Sequence, residues 1–141
     1  MIRSPGPGKA PLVPHLLAQG GAIVRNITLA TMTSEIHVDA LIDTGATMCV
    51  VPPNIARALG FEPRDRLRQR DVHVVGDQVK MDMYHLEYMK VSSAKAYNAS
   101  FGVYSTFAEP RITLVGLTFM QKFKTITFDL ARKRVVFRRG S

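Results

Sequence analysis

Val72 and Val74, then Val79, Met81 and Met83, take alternate positions on either side of Gly76-Asp77. A period of two turns one face of a strand inward, and a glycine at the midpoint supports a tight reversal. Residues 72–83 are therefore expected to form a β-hairpin with its tip at Val75, Gly76 and Asp77. "AIVRNITLATM" and "SEIHVDALID" are β-branched segments split by Thr33-Ser34, which predicts another hairpin. After "TMCVVP", the stretch "NIARALG" predicts a short helix, with Asn54 as its cap and Gly60 at its end. A strand over "YNASFGVYS" precedes the loop "TFAEPR". "ITLVGLTFMQKF" then joins an apolar run, a glycine and a short helical stretch, and "TITFDLARKRVVF" predicts two strands about a turn near Ala131-Arg132.

No internal repeat points to a duplicated lobe. Regularly spaced strands with two short helices predict an all-β fold, a closed or folded-over antiparallel architecture. The 141 residues, 46% of them hydrophobic, suffice for one core rather than two. Residues 1–21 place Pro and Gly where a signal peptide needs an apolar stretch, so they are expected to be a flexible leader before a domain over 22–141. No run approaches the roughly 18 apolar residues of a membrane span. The expectation is a soluble domain, cytoplasmic by default, with a removed membrane anchor as the alternative.

Charge changes this picture little. The net charge is +8, and the basic residues cluster in "RDRLRQRD" (64–71) and "ARKRVVFRRGS" (131–141). Such clusters can bind polyanions. No helix-turn-helix, zinc finger or base-stacking motif accompanies them, so solvated faces are expected and nucleic acid is not. Acidic partners or an anionic surface form the minority alternative. The single Cys49 cannot form an internal disulfide and reads as a small buried hydrophobe in "MCVV". The histidines at 15, 37, 73 and 85 are scattered, so no metal and no cofactor are expected. Most of the seven methionines read as packing, although Met81 and Met83 on a hairpin could also offer a tolerant substrate surface. Asp129 reads as a turn residue, and the four tyrosines as strand packing.

The chemistry concentrates in "LIDTGATMCVVP", residues 41–52. An acid among apolar residues is unfavourable unless it is bonded, paired or used. Asp-Thr-Gly could be ordinary turn chemistry, but the apolar flanks place this turn inside the fold. A glycine-rich turn could also bind phosphate, yet the chain lacks two α/β lobes and a Walker-type loop. Acid–base catalysis by two carboxylates is the third reading. Two aspartates held about 3 Å apart share one proton, so one activates water while the other polarises a carbonyl. Only one Asp-Thr-Gly exists here, and Asp39 lies four residues upstream on the same expected strand. Two-fold symmetry of a homodimer would bring Asp43 beside its own copy.

In these segments the chain resembles a retropepsin-type aspartic protease, the single-lobe, homodimeric relatives of pepsin. "ALIDTGATMCVVP" is similar to the family's catalytic strand and turn, and "NIARALGF" to the segment that follows in bacterial and cellular members. "ITLVGLTFMQKF" resembles the second signature, two apolar residues and a glycine before a short helix, and "ITFDLARKRVVF" resembles the closing hairpin. The resemblance spans about residues 22–138. It implies a closed β-barrel or folded-over sheet with one or two short helices and a flap, the flap being hairpin 72–83. It implies that Asp43 is the catalytic carboxylate, that Thr44 forms an intersubunit hydrogen-bond grip, and that Gly45 admits the substrate backbone. Ala46, the tip residues Val75, Gly76 and Asp77, and Ile112 and Leu114 would contact a peptide bound as an extended strand. Leu117-Thr118 follows the second glycine, where viral members carry Arg-Asn. The implied activity is that of an aspartic endopeptidase with a bell-shaped pH profile. The alternative is an inactive or monomeric module of the same fold that binds or scaffolds peptides.

Overall fold

The computed structural model describes residues 8–13, 22–43, 45–74, 77–91, 94–104 and 112–139. Strands β1 (Gly8–Val13), β2 (Ala22–Ala30), β3 (Glu35–Ile42) and β4 (Cys49–Val50) lead into helix α1 (Pro53–Ala58). Then come β5 (Arg68–Val74), β6 (Asp77–Val91), β7 (Ala94–Tyr104) and β8 (Thr113–Val115). Helix α2 (Leu117–Met120) and the strands β9 (Thr125–Asp129) and β10 (Arg134–Arg138) complete the order. The sheet runs β5-β6-β7-β4-β8-β3-β2-β1-β10-β9, and an extra β6–β2 pairing closes the six central strands into a barrel.

Both predicted hairpins of the first half form. In β2–β3, the Thr31 hydroxyl accepts the N–H groups of Thr33 and Ser34 at 3.2 and 2.9 Å, a local turn that the Thr-Ser pair supports. A bulge interrupts β2 between Val24 and Ile27, and Asn26 takes a positive φ of 65° there while its N–H donates to Asp39. The β5–β6 hairpin pairs from Arg68↔Met83 to Val74↔Asp77, so it starts four residues earlier than the alternation of 72–83. Val75 and Gly76, the expected tip, lie outside the described residues; of Asp77 only the backbone pairing is described.

Three features depart from the sequence reading. First, Gly8–Val13 falls inside the expected leader yet forms a strand. Gly8 to Pro11 pair with β10, and Leu12 and Val13 pair with β2. No residue of β1 is paired on both sides, so the missing N–H of Pro11 breaks no two-sided ladder. Second, Asn54 is not the cap of α1: Pro52 occupies that place without a side-chain bond, and Pro53 begins the helix. Proline suits the first turn because its missing N–H would be unpaired there anyway. Third, the barrel is not purely antiparallel, since β3 pairs β8 and β4 pairs β7 in parallel.

Gly60 does end α1, with φ of +92°. A Cβ there would meet nothing within 4 Å, so the only penalty for alanine is the backbone conformation itself. Gly60→Ala is expected to lower stability by about 1–2 kcal/mol, read from urea denaturation. A neutral result would mean that the helix end readjusts freely.

The core fills the barrel with Ile27, Leu29, Leu86, Met89, Phe101 and Val115, all essentially inaccessible. Aromatic pairs fasten the helices to it. Phe61, just beyond α1, lies 5.0 Å from Tyr84 and 5.4 Å from Phe101. At α2, Phe123 lies 5.1 Å from Phe119 and 5.2 Å from Phe137 on β10. No helix among the described residues is long and apolar enough to cross a membrane.

Candidate active site

Residues 43–48 connect β3 to β4, but these strands are not neighbours. β8 lies between them, parallel to β3 and antiparallel to β4. The loop must therefore arch over the end of β8, and its backbone is fastened to whatever follows that strand. The Asp43 N–H donates to the Val115 carbonyl at 3.0 Å. From the far side, the N–H groups of Leu117 and Thr118 donate to the carbonyls of Ala46 and Thr47, both at 2.9 Å. Between these contacts sits Gly116, where a Cβ would fall 2.3 Å from the Met48 carbonyl oxygen and 2.8 Å from that of Ala46. Only glycine lets the two backbones approach this closely.

Within the loop, the Gly45 N–H donates to Asp43 Oδ1 at 2.9 Å, and the Ala46 N–H to the Asp43 carbonyl at 3.1 Å. Such a turn holds the carboxylate by one oxygen. Its other oxygen has no partner among the described residues, and the side chain is half-buried. Other described aspartates are engaged elsewhere. Asp39 accepts from the Asn26 N–H, Asp65 from the Glu62 N–H, Asp71 pairs with Lys80, and Asp129 accepts from the Arg132 N–H. Asp82, on β6 of the hairpin itself, is buried and accepts from Gln69 at 2.9 Å and Arg66 at 3.2 Å. Asp43 is the acid on the loop that arches over β8, its carboxylate bonded among the described residues only to the Gly45 N–H. Thr44 lies outside the described residues.

The loop faces the hairpin across a cavity of about 330 Å³, lined by Gly45, Ala46, Met48, Val72, Met81 and Tyr104 among others. Val50, Met81 and Met83 form a small apolar cluster there, with Met48, Val72, Tyr104 and Leu114 packed against it. The loop and hairpin thus enclose a trough of mixed lining, with an apolar cluster on one side and Thr47, Arg70, Asp71 and His73 also bordering it, a shape suited to an extended chain. Of the sequence candidates, Gly45 and Ala46 line the cavity; Leu114 supports the cluster behind it, and Ile112 stands half-buried just before β8. Met48, Arg70, His73 and Tyr104 line it without having been singled out. The spacing of Met48 and Val50, two residues apart and on the same side of the strand, was the available signal for the first of them.

Cys49 starts β4 fully buried, and burial pushes its thiol up to about 11. At neutral pH it is a protonated, inert packing residue. No group of three or more His, Cys, Asp or Glu side chains is placed to hold a metal ion among the described residues.

A closed six-stranded barrel, an acid loop arched over an inserted strand and a hairpin facing it define the retropepsin-like fold. The crystal structure of a retropepsin-like aspartic protease from Rickettsia conorii is similar, with a TM-score of 0.72 over 99% of this chain and 97% of that one, at 16% identity. In sequence, the family described as "gag-polyprotein putative aspartyl protease" matches residues 28–122. The chain belongs to that aspartyl protease family. A search of curated proteins found no match.

Proposed function

We propose that the protein is an aspartic endopeptidase that hydrolyses peptide bonds with water activated by a pair of Asp43 carboxylates, one from each subunit of a homodimer. The observation that carries this reading is the half-buried Asp43 on the loop over β8, held through one oxygen by the Gly45 N–H, with no partner for the other among the described residues. One oxygen fixed by a backbone donor orients the carboxylate, and the free one is left for a water or a second carboxyl group. The other aspartates whose side chains are described already have partners, including Asp71, which borders the same cavity but pairs with Lys80 at 3.0 Å; the partner acid is therefore supplied by a second copy of the chain. Thr44 would brace the two loops against each other. The β5–β6 hairpin would cover the substrate, with Val75, Gly76 and Asp77 at its tip, and Ala46, Ile112 and Leu114 would help shape the side-chain pockets.

In the reaction, the dyad holds one proton. The ionised carboxylate takes a proton from water as the water oxygen attacks the scissile carbonyl carbon, and the protonated one donates to the carbonyl oxygen. Proton transfer to the amide nitrogen then lets the C–N bond break. Activity is therefore expected to follow a bell-shaped pH profile, since both the fully ionised and the fully protonated dyad are idle. Cleavage of denatured casein from acid to neutral pH, with a pepstatin-type inhibitor as control and the dimer followed by sedimentation, tests this. Activity per molecule should rise with protein concentration as the dimer fills. A monomer that cuts casein at undiminished specific activity on dilution would overturn the shared dyad.

A further inference from the structure

The basic run "RDRLRQR" contains four arginines, and the structure divides them. Arg64 meets Glu62 at 2.9 Å and Arg66 meets Asp82 at 3.2 Å. Arg68 and Arg70, on β5, form no ion pair with any described residue. Both line a cavity of about 190 Å³ beside the loop of Asp43, and so does Lys122, just beyond α2, which is likewise unpaired among the described residues. Its apolar walls include Met48, Met83 and Phe119, and no acidic side chain among the described residues lines it. This cavity continues the trough at the loop, because Met48 and Arg70 border both.

Three cations around one concavity, without a counter-charge among its described lining residues, repel one another and raise the local concentration of anions. The apolar walls add a preference for methylene groups. A glutamate side chain has both parts, a short apolar stem and a carboxylate that a guanidinium binds well. We propose that this cavity is a subsite for an acidic side chain of the peptide substrate, with Arg70 as its specificity-determining residue. The inference rests on the peptidase reading above. It turns the arginines left over from a solvated face into a selector for sequences carrying Glu or Asp a few residues from the scissile bond.

The test uses a fluorescein-labelled decapeptide series with Glu, Gln or Lys placed at one position at a time. Binding to the Asp43→Asn protein is read by anisotropy, and cleavage by the wild type as kcat/KM. At one position Glu should exceed Gln on the order of five- to tenfold, between the value of an exposed ion pair and that of a charge-assisted hydrogen bond. The preference should shrink as salt rises from about 0.05 to 0.5 M. Arg70→Gln should abolish it, and Arg70→Glu should turn it toward Lys. Both substitutions fall on an exposed position and leave the fold intact.

Equal handling of Glu and Gln at every position would overturn the subsite. So would a preference that survives Arg68→Gln/Arg70→Gln and Lys122→Gln alike. Cleavage without acidic preference removes the subsite and keeps the peptidase. Preferential binding of Glu peptides by Asp43→Asn, with no cleavage by the wild type, keeps the subsite and removes the peptidase. Neither binding nor cleavage removes both.

Discussion

Asp43→Asn is expected to lower casein cleavage by roughly two to four orders of magnitude, the span that a positioned acid–base group contributes. The substitution is close to isosteric, and the side-chain amide oxygen it introduces can still accept the Gly45 N–H that now bonds Asp43 Oδ1 at 2.9 Å. What is lost is the ability to ionise and, in the proposed dyad, to share a proton. Urea denaturation should accordingly give nearly the wild-type midpoint, so lost activity reports chemistry rather than unfolding. Retained cleavage in the mutant would place the chemistry elsewhere. Dimeric wild type that cleaves nothing at any pH would instead favour a peptide-binding module of the same fold.

The second large effect is expected at Gly116. Its φ of −98° suits any residue, so backbone conformation is not what demands glycine there. The constraint is contact. An added Cβ would stand 2.3 Å from the Met48 carbonyl oxygen and 2.5 Å from its carbonyl carbon, atoms of a backbone that cannot rotate away. To admit a methyl group, the loop must lift off β8, breaking the bonds from Leu117 and Thr118 to Ala46 and Thr47. Gly116→Ala should lose about 3 kcal/mol of stability, at the upper end for overpacking, and most of its activity with it. Gly60→Ala is the matched comparison, the same added methyl group without a clash. A Gly116→Ala protein within about 0.5 kcal/mol of wild type would show that the loop is not held in this way.

The two glycines also show what a linear reading can and cannot reach. Gly60 was legible because a helix end is a local event, marked by the residue that tolerates a positive φ. The hairpin around Gly76 was legible from alternation, although its first strand begins at Arg68, where charged residues on the open face hid the period. Asp43 stood out because an acid between "ALI" and "MCVV" needs a reason. By contrast, the insertion of β8 between β3 and β4 joins segments far apart in the chain and leaves no local mark. The same holds for β1, whose Pro11 argues against a strand until its one-sided pairing is known. A run of arginines does not reveal which of them find carboxylates: Arg64 and Arg66 do, while Arg68 and Arg70 are exposed, in line with the expected solvated face.

The threading of β8 also dictates when the acid loop can come into being. Its anchors, Val115, Leu117 and Thr118, are made about 70 residues after Asp43, and contacts of such separation close late because chain entropy must first be overcome. During synthesis, the Asp43 segment emerges with no strand to arch over, and its carboxylate is an ordinary acid on a loose chain. The loop takes shape only once nearly the whole barrel sequence is available. On the proposed reading, a centre assembled last, and then only in pairs, would keep a growing chain from encountering finished cutting machinery of its own making.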